Sequence, residues 1–450
     1  MWSTRRAEQP RRVKGEHMQV TVIGAGYVGL VAAVCLARSG HTVTCVDIDP
    51  EKVAALNVGA SPIYEPGIEE LLTEGLASGR LRFTTPESGW ESLIAEITIV
   101  AVGTPMAGSG SADLSQVRDV VDALSDAATG PFTLVMKSTV AVGTGAALIE
   151  RFLARSGLTI RYVSNPEFLR EGRAIEDWYA TDRIVLGSAD PDHLAPLRAL
   201  YADIEAPVLE TDIASAETIK YASNAFLSTK ISFINEIANL CDAVGANIDD
   251  VARGIGMDVR ISPHFLHAGI GYGGSCFPKD TRALEFIASI NGYQFSLLKA
   301  VIDVNNRQRL LPVIHLARAL PDMDRRTVAV LGLAFKPGTD DVREAPAFDI
   351  IPLLLEAGAS VTAYDPIARE VPLTGVKRAA TVWKALAGAS AAIVTTEWPE
   401  LCALDWTRVR AEMADPAIVY DGRNCLDRTA VEAAGLTYMG VGRPGAHRQR

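Results

Sequence analysis

One cysteine in the chain stands where packing explains it poorly. Cys276 belongs to the run Gly269-Ile270-Gly271-Tyr272-Gly273-Gly274-Ser275-Cys276-Phe277-Pro278-Lys279-Asp280. Four glycines within six residues rule out a regular helix or strand and let a ligand approach the backbone closely. A free cysteine is ordinarily a small buried hydrophobe, and that role suits Cys35, Cys45 and Cys241 on their apolar stretches. Cys276 instead has glycines and a serine before it and Pro-Lys-Asp after it. Lys279 is placed to favour the thiolate electrostatically, and Asp280 to act as a base or to position a water. A dehydrogenase that stops at a carbonyl needs no thiol. One that continues to the acid does, because a thiohemiacetal can lose a second hydride and leave a hydrolysable thioester.

A hydride acceptor is suggested near the start of the chain. Gly24-Ala25-Gly26-Tyr27-Val28-Gly29 fits G-x-G-x-x-G between the apolar run Met18–Ile23 and a helical stretch that stops at Gly40. In such a turn Gly24 permits the tight bend, Gly26 lets the backbone approach a pyrophosphate, and Gly29 allows close helix packing. The helix N-terminus then offers N–H donors and positive dipole to the phosphates. Asp47 ends the next strand, 23 residues after Gly24. An acid there accepts from ribose hydroxyls and repels a 2′-phosphate, which favours NAD over NADP. The plainer reading of Asp47 is a strand-end turn residue, since Asp49-Pro50 follows.

Lys220 and Asn224 are four apart in a helical stretch and share a face. Together they can donate to a sugar oxygen or to a developing oxyanion. Lys220 can equally snorkel from a partly buried face. Lys-x-x-x-Asn pairs also occur in β-hydroxyacid dehydrogenases, which need no cysteine and yield one NADH. That rival leaves the Cys276 loop unexplained.

The elements that must hold these groups are legible in outline. A strand, glycine turn, helix and second strand (41–49) make a βαβ unit and hence a parallel sheet. Further strands are expected at 97–102, 132–137 and 160–164, closing a first domain at 18–211. From 212 no Gly or Pro occurs until Gly245, so one long helix is expected, within a helical region at 212–322. Strand patterns return at 327, 360–365, 391–396 and 417–422 in a third region, 323–438. There TVAVLGLAFKPG echoes QVTVIGAGYVG. The predicted class is α/β, with two Rossmann-like doubly wound domains joined by a long central helix and helical middle domain.

Composition narrows the partners. The 450 residues carry a formal charge of −11, 48% apolar and 22% charged residues, ordinary for a soluble protein and adverse to a nucleic-acid partner. No run reaches the roughly 18 apolar residues of a membrane span. Residues 1–17 are basic and polar without an apolar core, reading as a disordered tail rather than a secretory signal, and 439–450 read as a C-terminal tail. The six cysteines show no C-x-x-C pair, so neither a metal site nor a disulfide framework is indicated, and a cytoplasmic location is expected.

The ordered motifs GAGYVG (24–29), VGTP (102–105), STV (138–140), NPEFLREG (165–172), the Lys220/Asn224 helix, FLHAGIGYGGSCFPKDT (265–281) and AFKPGTDDVREAP (334–346) together resemble the UDP-glucose/GDP-mannose dehydrogenase family over about residues 18–430. The wording GYGGSCFPKD is similar to the UDP-glucose members. The resemblance implies an N-terminal NAD domain, a C-terminal UDP-sugar domain and dimerisation through the central helix, in a homodimer or higher oligomer. The implied reaction is the four-electron oxidation of UDP-glucose to UDP-glucuronate with two NAD⁺ and one water. The same chemistry on a UDP-N-acetylhexosamine or GDP-mannose is the alternative.

On this resemblance Cys276 is the nucleophile, and Lys220 and Asn224 bind the reacting oxygen. Asp280 works with a bound water, Glu167 serves thioester hydrolysis, and Thr139 lies near that water. How the base role divides among Lys220, Asp280 and Glu167 stays open. Val28, Asp47, Lys52, Thr104, Thr139, Glu171, Lys279 and Arg343 match cofactor-contacting positions, besides Gly24, Gly26 and Gly29. Substrate positions are Glu167, Phe168, Leu169, Arg170, Glu171, Lys220, Asn224, Phe265, Leu266, His267, Ala268, Gly269, Gly273 and Lys336. Arg260 matches a residue reaching the sugar nucleotide from the neighbouring protomer. His267 departs from the pattern, since some relatives carry Lys there.

Overall fold

The computed structural model describes residues 17–368 and 374–444. Residues 1–16 of the expected basic tail at 1–17, and 445–450 of the expected C-terminal tail at 439–450, lie outside the described residues. The chain divides into two compact units, the boundary falling between Lys220 and Tyr221, with Gly108–Ser111 grouped with the second.

The first unit is built on eight strands: β1 (Gln19–Ile23), β2 (Thr42–Val46), β3 (Leu81–Thr84), β4 (Ile97–Val100), β5 (Thr133–Met136), β6 (Arg161–Ser164), β7 (Ile184–Gly187) and β8 (Val208–Thr211). Their order is β3-β2-β1-β4-β5-β6-β7-β8, parallel except where β7 meets β6. Strand β1 is paired on both sides, Val20 with Val43 and with Ile97. Its neighbours on either side continue in opposite directions along the sheet. That reversal opens a crevice at the carboxyl ends of β1 and β4, where open α/β sheets bind ligands. Helices cover both faces, so β4 and β5 are buried throughout and read as apolar and β-branched runs without alternation.

The second unit repeats the plan with β9 (Thr327–Leu331), β10 (Ser360–Tyr364), β11 (Val376–Arg378), β12 (Ala391–Val394), β13 (Ile418–Asp421) and β14 (Thr437–Gly440). The order is β11-β10-β9-β12-β13-β14, with every pair parallel. The echo between the two glycine turns is therefore a topological equivalence of β1 and β9. Ordered structure also runs past residue 438, where a tail was expected: Tyr438 and Val441 are buried, and Arg443 bonds Asp249 at 2.7 Å. Burial of these side chains outweighs the polar run that suggested a tail.

One helix, Ile213–Val244, accounts for the stretch without Gly or Pro. The carboxylate of Asp212 accepts from the Ser215 amide at 2.8 Å, satisfying a donor at the helix start. Gly245, at φ 80°, stops it. Phe226, Phe233 and Leu240, each seven residues apart, are more than half exposed, as is Val244. They form one apolar stripe on this helix.

Candidate active site

In the first unit the turn after β1 is shaped for a dinucleotide. Gly24 has φ 99°, and its N–H donates to Val46 O at 2.7 Å. A Cβ there would lie 2.8 Å from Ala101 O, and one at Gly29 would lie 1.9 Å from Gly24 O. A Cβ at Gly26 would meet nothing within 4 Å, so the backbone there is open to a pyrophosphate. The residues therefore fit the cofactor. Asp47 Oδ2 accepts from the Ala25 amide at 2.8 Å and from Lys52 Nζ at 3.0 Å. Its Oδ1 accepts from Asp49 N at 3.0 Å, which leaves a lone pair for a ribose hydroxyl. Val28 lies in the first turn of the helix Tyr27–Arg38. Thr104 Oγ1 donates to Thr139 O at 2.9 Å, tying together the loops that follow β4 and β5.

The segment after β6 carries Glu167 inward. Its Oε1 accepts from Lys220 Nζ at 2.8 Å, and its Oε2 from the Leu169 amide at 2.6 Å. Both partners are buried. Burial pushes the Glu167 carboxyl up, but the Lys220 charge and hydrogen bond, the Leu169 amide and the Lys137 charge together hold it below the usual carboxylate range. Phe168 places its ring 5.4 Å from Lys220 Nζ. Arg170 is engaged with Asp177 through two side-chain bonds of 2.9 and 2.5 Å. Beyond Glu171, Gly172 N donates to Tyr27 OH and to Glu65, which is buried.

In the second unit, Cys276 is the residue immediately before the helix Phe277–Ile290. The Asp280 amide donates to Cys276 O at 2.8 Å, so the partly exposed thiol sits at the positive end of that helix, where a thiolate is favoured. Ser275 Oγ is 3.6 Å from its sulfur. Asp280 is buried and shared, with Oδ2 accepting from Asn224 Nδ2 at 2.6 Å and Oδ1 from Lys279 Nζ at 2.5 Å. The Lys279 ammonium is thus bonded to Asp280. Asn224 lies one turn beyond Lys220 on the long helix.

The glycine loop is fastened by side chains that sequence reasoning missed. Asn235 Oδ1 accepts from Gly269 N at 2.9 Å, and Gln308 Nε2 donates to Gly269 O at 2.8 Å. Asn305 bonds both the N–H and the C=O of Tyr272, at 2.8 and 3.1 Å, and Arg309 donates to the same carbonyl at 2.5 Å. The available signal was periodicity: Val301, Val304, Asn305 and Gln308 are buried on one face of the helix Ser296–Gln308. Amides at buried helical positions need partners. A Cβ on Gly273 would lie 2.2 Å from Glu344 O. Phe265 holds φ at 63°, a left-handed conformation uncommon for such a residue, and packs edge-on against Phe277 at 6.3 Å. Leu266 and Ala268 are buried.

The second glycine turn repeats the first with a difference. Gly332 has φ 102° and donates to Tyr364 O at 2.7 Å. Asp365 stands where Asp47 stands in the first unit, but its Oδ2 accepts from Leu333 N, Ala334 N and Trp398 Nε1 at 2.7 to 3.0 Å. Its Oδ1 accepts from Ile367 N and Ala368 N, both at 2.8 Å. Arg423, also missed, donates to Thr395 O, Gly271 O and Phe335 O at 2.7, 2.9 and 3.1 Å. It thereby ties the glycine loop to the crevice of this sheet. His267 Nε2 donates to Arg423 O at 2.6 Å, and Lys336 Nζ lies 5.2 Å from the Phe335 ring centre. Arg260 and Arg343 are exposed and paired with Asp258 and Asp341 at 2.6 and 2.7 Å.

Known proteins divide the chain in the same terms. Residues 18–205, 214–307 and 329–428 match the NAD binding, central and UDP binding domains of the UDP-glucose/GDP-mannose dehydrogenase family. UDP-glucose 6-dehydrogenase TuaD of Bacillus subtilis (strain 168) is 45% identical over 434 residues, 95% of this chain and 93% of its own. A UDP-glucose dehydrogenase from the archaeon Pyrobaculum islandicum superposes with a TM-score of 0.88 at 39% identity, covering 97% of this chain and 100% of that one. A UDP-D-ManNAc dehydrogenase from Pyrococcus horikoshii gives a TM-score of 0.85 at 27% identity, covering 95% and 99%.

Proposed function

The chain belongs to the UDP-glucose/GDP-mannose dehydrogenase family, and we propose that it oxidises UDP-glucose to UDP-glucuronate with NAD as hydride acceptor. The observation that carries the reading is the partly exposed Cys276 thiol at a helix N-terminus, in a loop that four buried side chains hold in place. The choice of sugar follows sequence rather than fold. The ManNAc and glucose enzymes superpose almost equally well, yet the identities differ, 27% against 39%.

Cofactor held at the turn Gly24–Gly29 and by Asp47 would supply the two hydride acceptances. The chain's own groups do the rest. Lys220 and Asn224 donate to the C6 oxygen and stabilise its charge as the alcohol loses a proton and a hydride to become an aldehyde. The Cys276 thiolate adds to that aldehyde, forming a C–S bond and a thiohemiacetal. Loss of a second hydride and proton leaves the thioester. Water, held by Asp280 and Glu167, adds to the acyl carbon, and the C–S bond breaks to give carboxylate and free thiol. The balance is one alcohol, two NAD⁺ and one water giving one carboxylate, two NADH and three protons. Two NADH per UDP-glucose are therefore expected in an end-point assay, run alongside UDP-N-acetylglucosamine, UDP-N-acetylmannosamine, UDP-galactose and GDP-mannose. A count of one, or preference for another sugar, overturns the assignment.

We also infer a homodimer or higher homo-oligomer. The stripe Phe226, Phe233 and Leu240 is an apolar helix face that association would cover. Arg260 lies between Met257 and Ile261 on a segment whose Met257 and Val259 are more than 80% exposed, suited to reaching a neighbouring protomer. Light scattering should give at least twice the chain mass, and Phe233→Glu should lower it; a monomeric parent protein would end this reading. Six free thiols suit a reducing compartment, and we place the reaction in the cytoplasm.

A further inference from the structure

Behind Glu167 lies a buried lysine with no part in the scheme above. Lys137 directly follows β5, and its backbone N–H donates to Val100 O at 2.9 Å. Its side chain is only 5% exposed. Nζ donates to Asn165 Oδ1 at 3.1 Å and to Tyr201 OH at 3.5 Å. It lies 5.3 Å from the Trp178 ring centre and 5.7 Å from that of Tyr201. These partners are an amide, a phenol and two aromatic faces, which solvate an ammonium but do not neutralise it. Asn165 also accepts from Tyr201 OH at 2.6 Å and donates to Val185 O at 2.9 Å. It is separated from Glu167 by one proline. A cavity of about 40 Å³ is lined by Lys137, Asn165, Glu167, Phe168 and Tyr201 among others, enough for water.

The charges that face Lys137 are few. Glu167 attracts it and Lys220 repels it, and Asp177 and Arg183 line the same cavity. Asp177 is neutralised by Arg170, and Arg183 lies over Phe168, 3.9 Å from its ring centre. Two ammonium groups therefore compete for one buried carboxylate, and Lys220 holds the direct bond. Burial lowers the Lys137 ammonium to about 8, with Glu167 working against that shift and Lys220 adding to it.

We propose that Lys137 is a positioning residue of the oxidation: through Asn165 it fixes the strand end that aims Glu167, and its charge keeps Glu167 ionised. The proposal rests on the roles given above to Glu167 and Lys220. Removing the charge strengthens the hold on the Glu167 proton, so that carboxyl shifts upward.

The test compares Lys137→Met, Lys137→Gln and Lys137→Arg, following kcat and KM across about pH 5–9 with thermal melts of each. Without the charge, the acidic limb of kcat is expected to move up by about one pH unit. Turnover on that limb should then fall by up to about tenfold, with turnover at neutral pH little changed and KM for NAD within about twofold. Lys137→Arg should return the limb towards its original place. The inference is overturned if the limb stays put in both neutral variants, or if Arg shifts it as far as they do. Should Met prevent folding, the Gln and Arg pair decides the matter. The NADH count on the unmodified protein is independent: two NADH with an unmoved limb removes only this inference, and one NADH removes the reading beneath it.

Discussion

Cys276→Ser is expected to lower steady-state turnover of UDP-glucose by at least about a thousandfold while NAD binding is retained. The hydroxyl is isosteric enough for the loop, whose anchors are Asn235, Asn305, Gln308 and Arg309 rather than the cysteine. It is not ionised near neutral pH, so the helix N-terminus that favours a thiolate has no anion to stabilise. Formation of the aldehyde does not require the thiol. A single-turnover experiment should therefore show up to one NADH per site and then arrest, with aldehyde or its hydrate retained. NADH titration by fluorescence checks that the first unit is unaffected. Normal steady-state turnover in the serine enzyme would refute the thioester scheme.

Lys220→Met is expected to damage both stability and chemistry, by separable routes. It leaves Glu167 buried without its main partner, which costs about 3–5 kcal/mol. The loss of a donor to the reacting oxygen should reduce kcat by about 10²–10³. The pH dependence has a definite sign. In the parent protein Glu167 is held below its unfolded value. Its stabilising contribution is fully present above that unfolded value, about 4.3, and is lost as pH falls through the folded value. With Lys220 gone, burial raises the carboxyl instead, so the variant should lose stability as pH rises through the range where the carboxyl ionises. Melting temperatures at about pH 5 and about pH 8 read this directly. Adding Glu167→Gln should recover most of the stability and none of the turnover, because it removes the stranded charge without replacing the lysine. A Lys220→Met enzyme with parental kcat would show that the lysine only fills space.

The central strands were readable because they are buried on both faces and appear as runs of apolar and β-branched residues: Val20–Ile23, Ile97–Val100, Thr133–Met136 and Ala391–Val394. The strands that escaped notice include all four sheet edges, Leu81–Thr84, Val208–Thr211, Val376–Arg378 and Thr437–Gly440. An edge strand has solvent on one side and no obligation to be apolar, and Val208–Thr211 is largely exposed. The site divided along similar lines. Cys276, Asp280, Lys220 and Glu167 announce themselves through motif or unusual surroundings. Lys137, Asn305, Gln308 and Arg423 do not, because their roles depend on which carbonyls and amides the fold delivers to them. A polar residue at the end of a strand or on a buried helical face is the trace they leave.

The two aspartates at equivalent places in the two sheets differ in what they leave open. Both follow the second strand of their sheet and brace the glycine turn opposite, so the same local architecture was stamped twice. Asp47 keeps an open valence, whereas Asp365 has spent every lone pair on five internal donors. The second half thus has the crevice without a free acceptor at its strand end. With no acceptor left at Asp365, the second turn cannot hold a ribose hydroxyl as the first can, so the two halves do not compete for the same nucleotide.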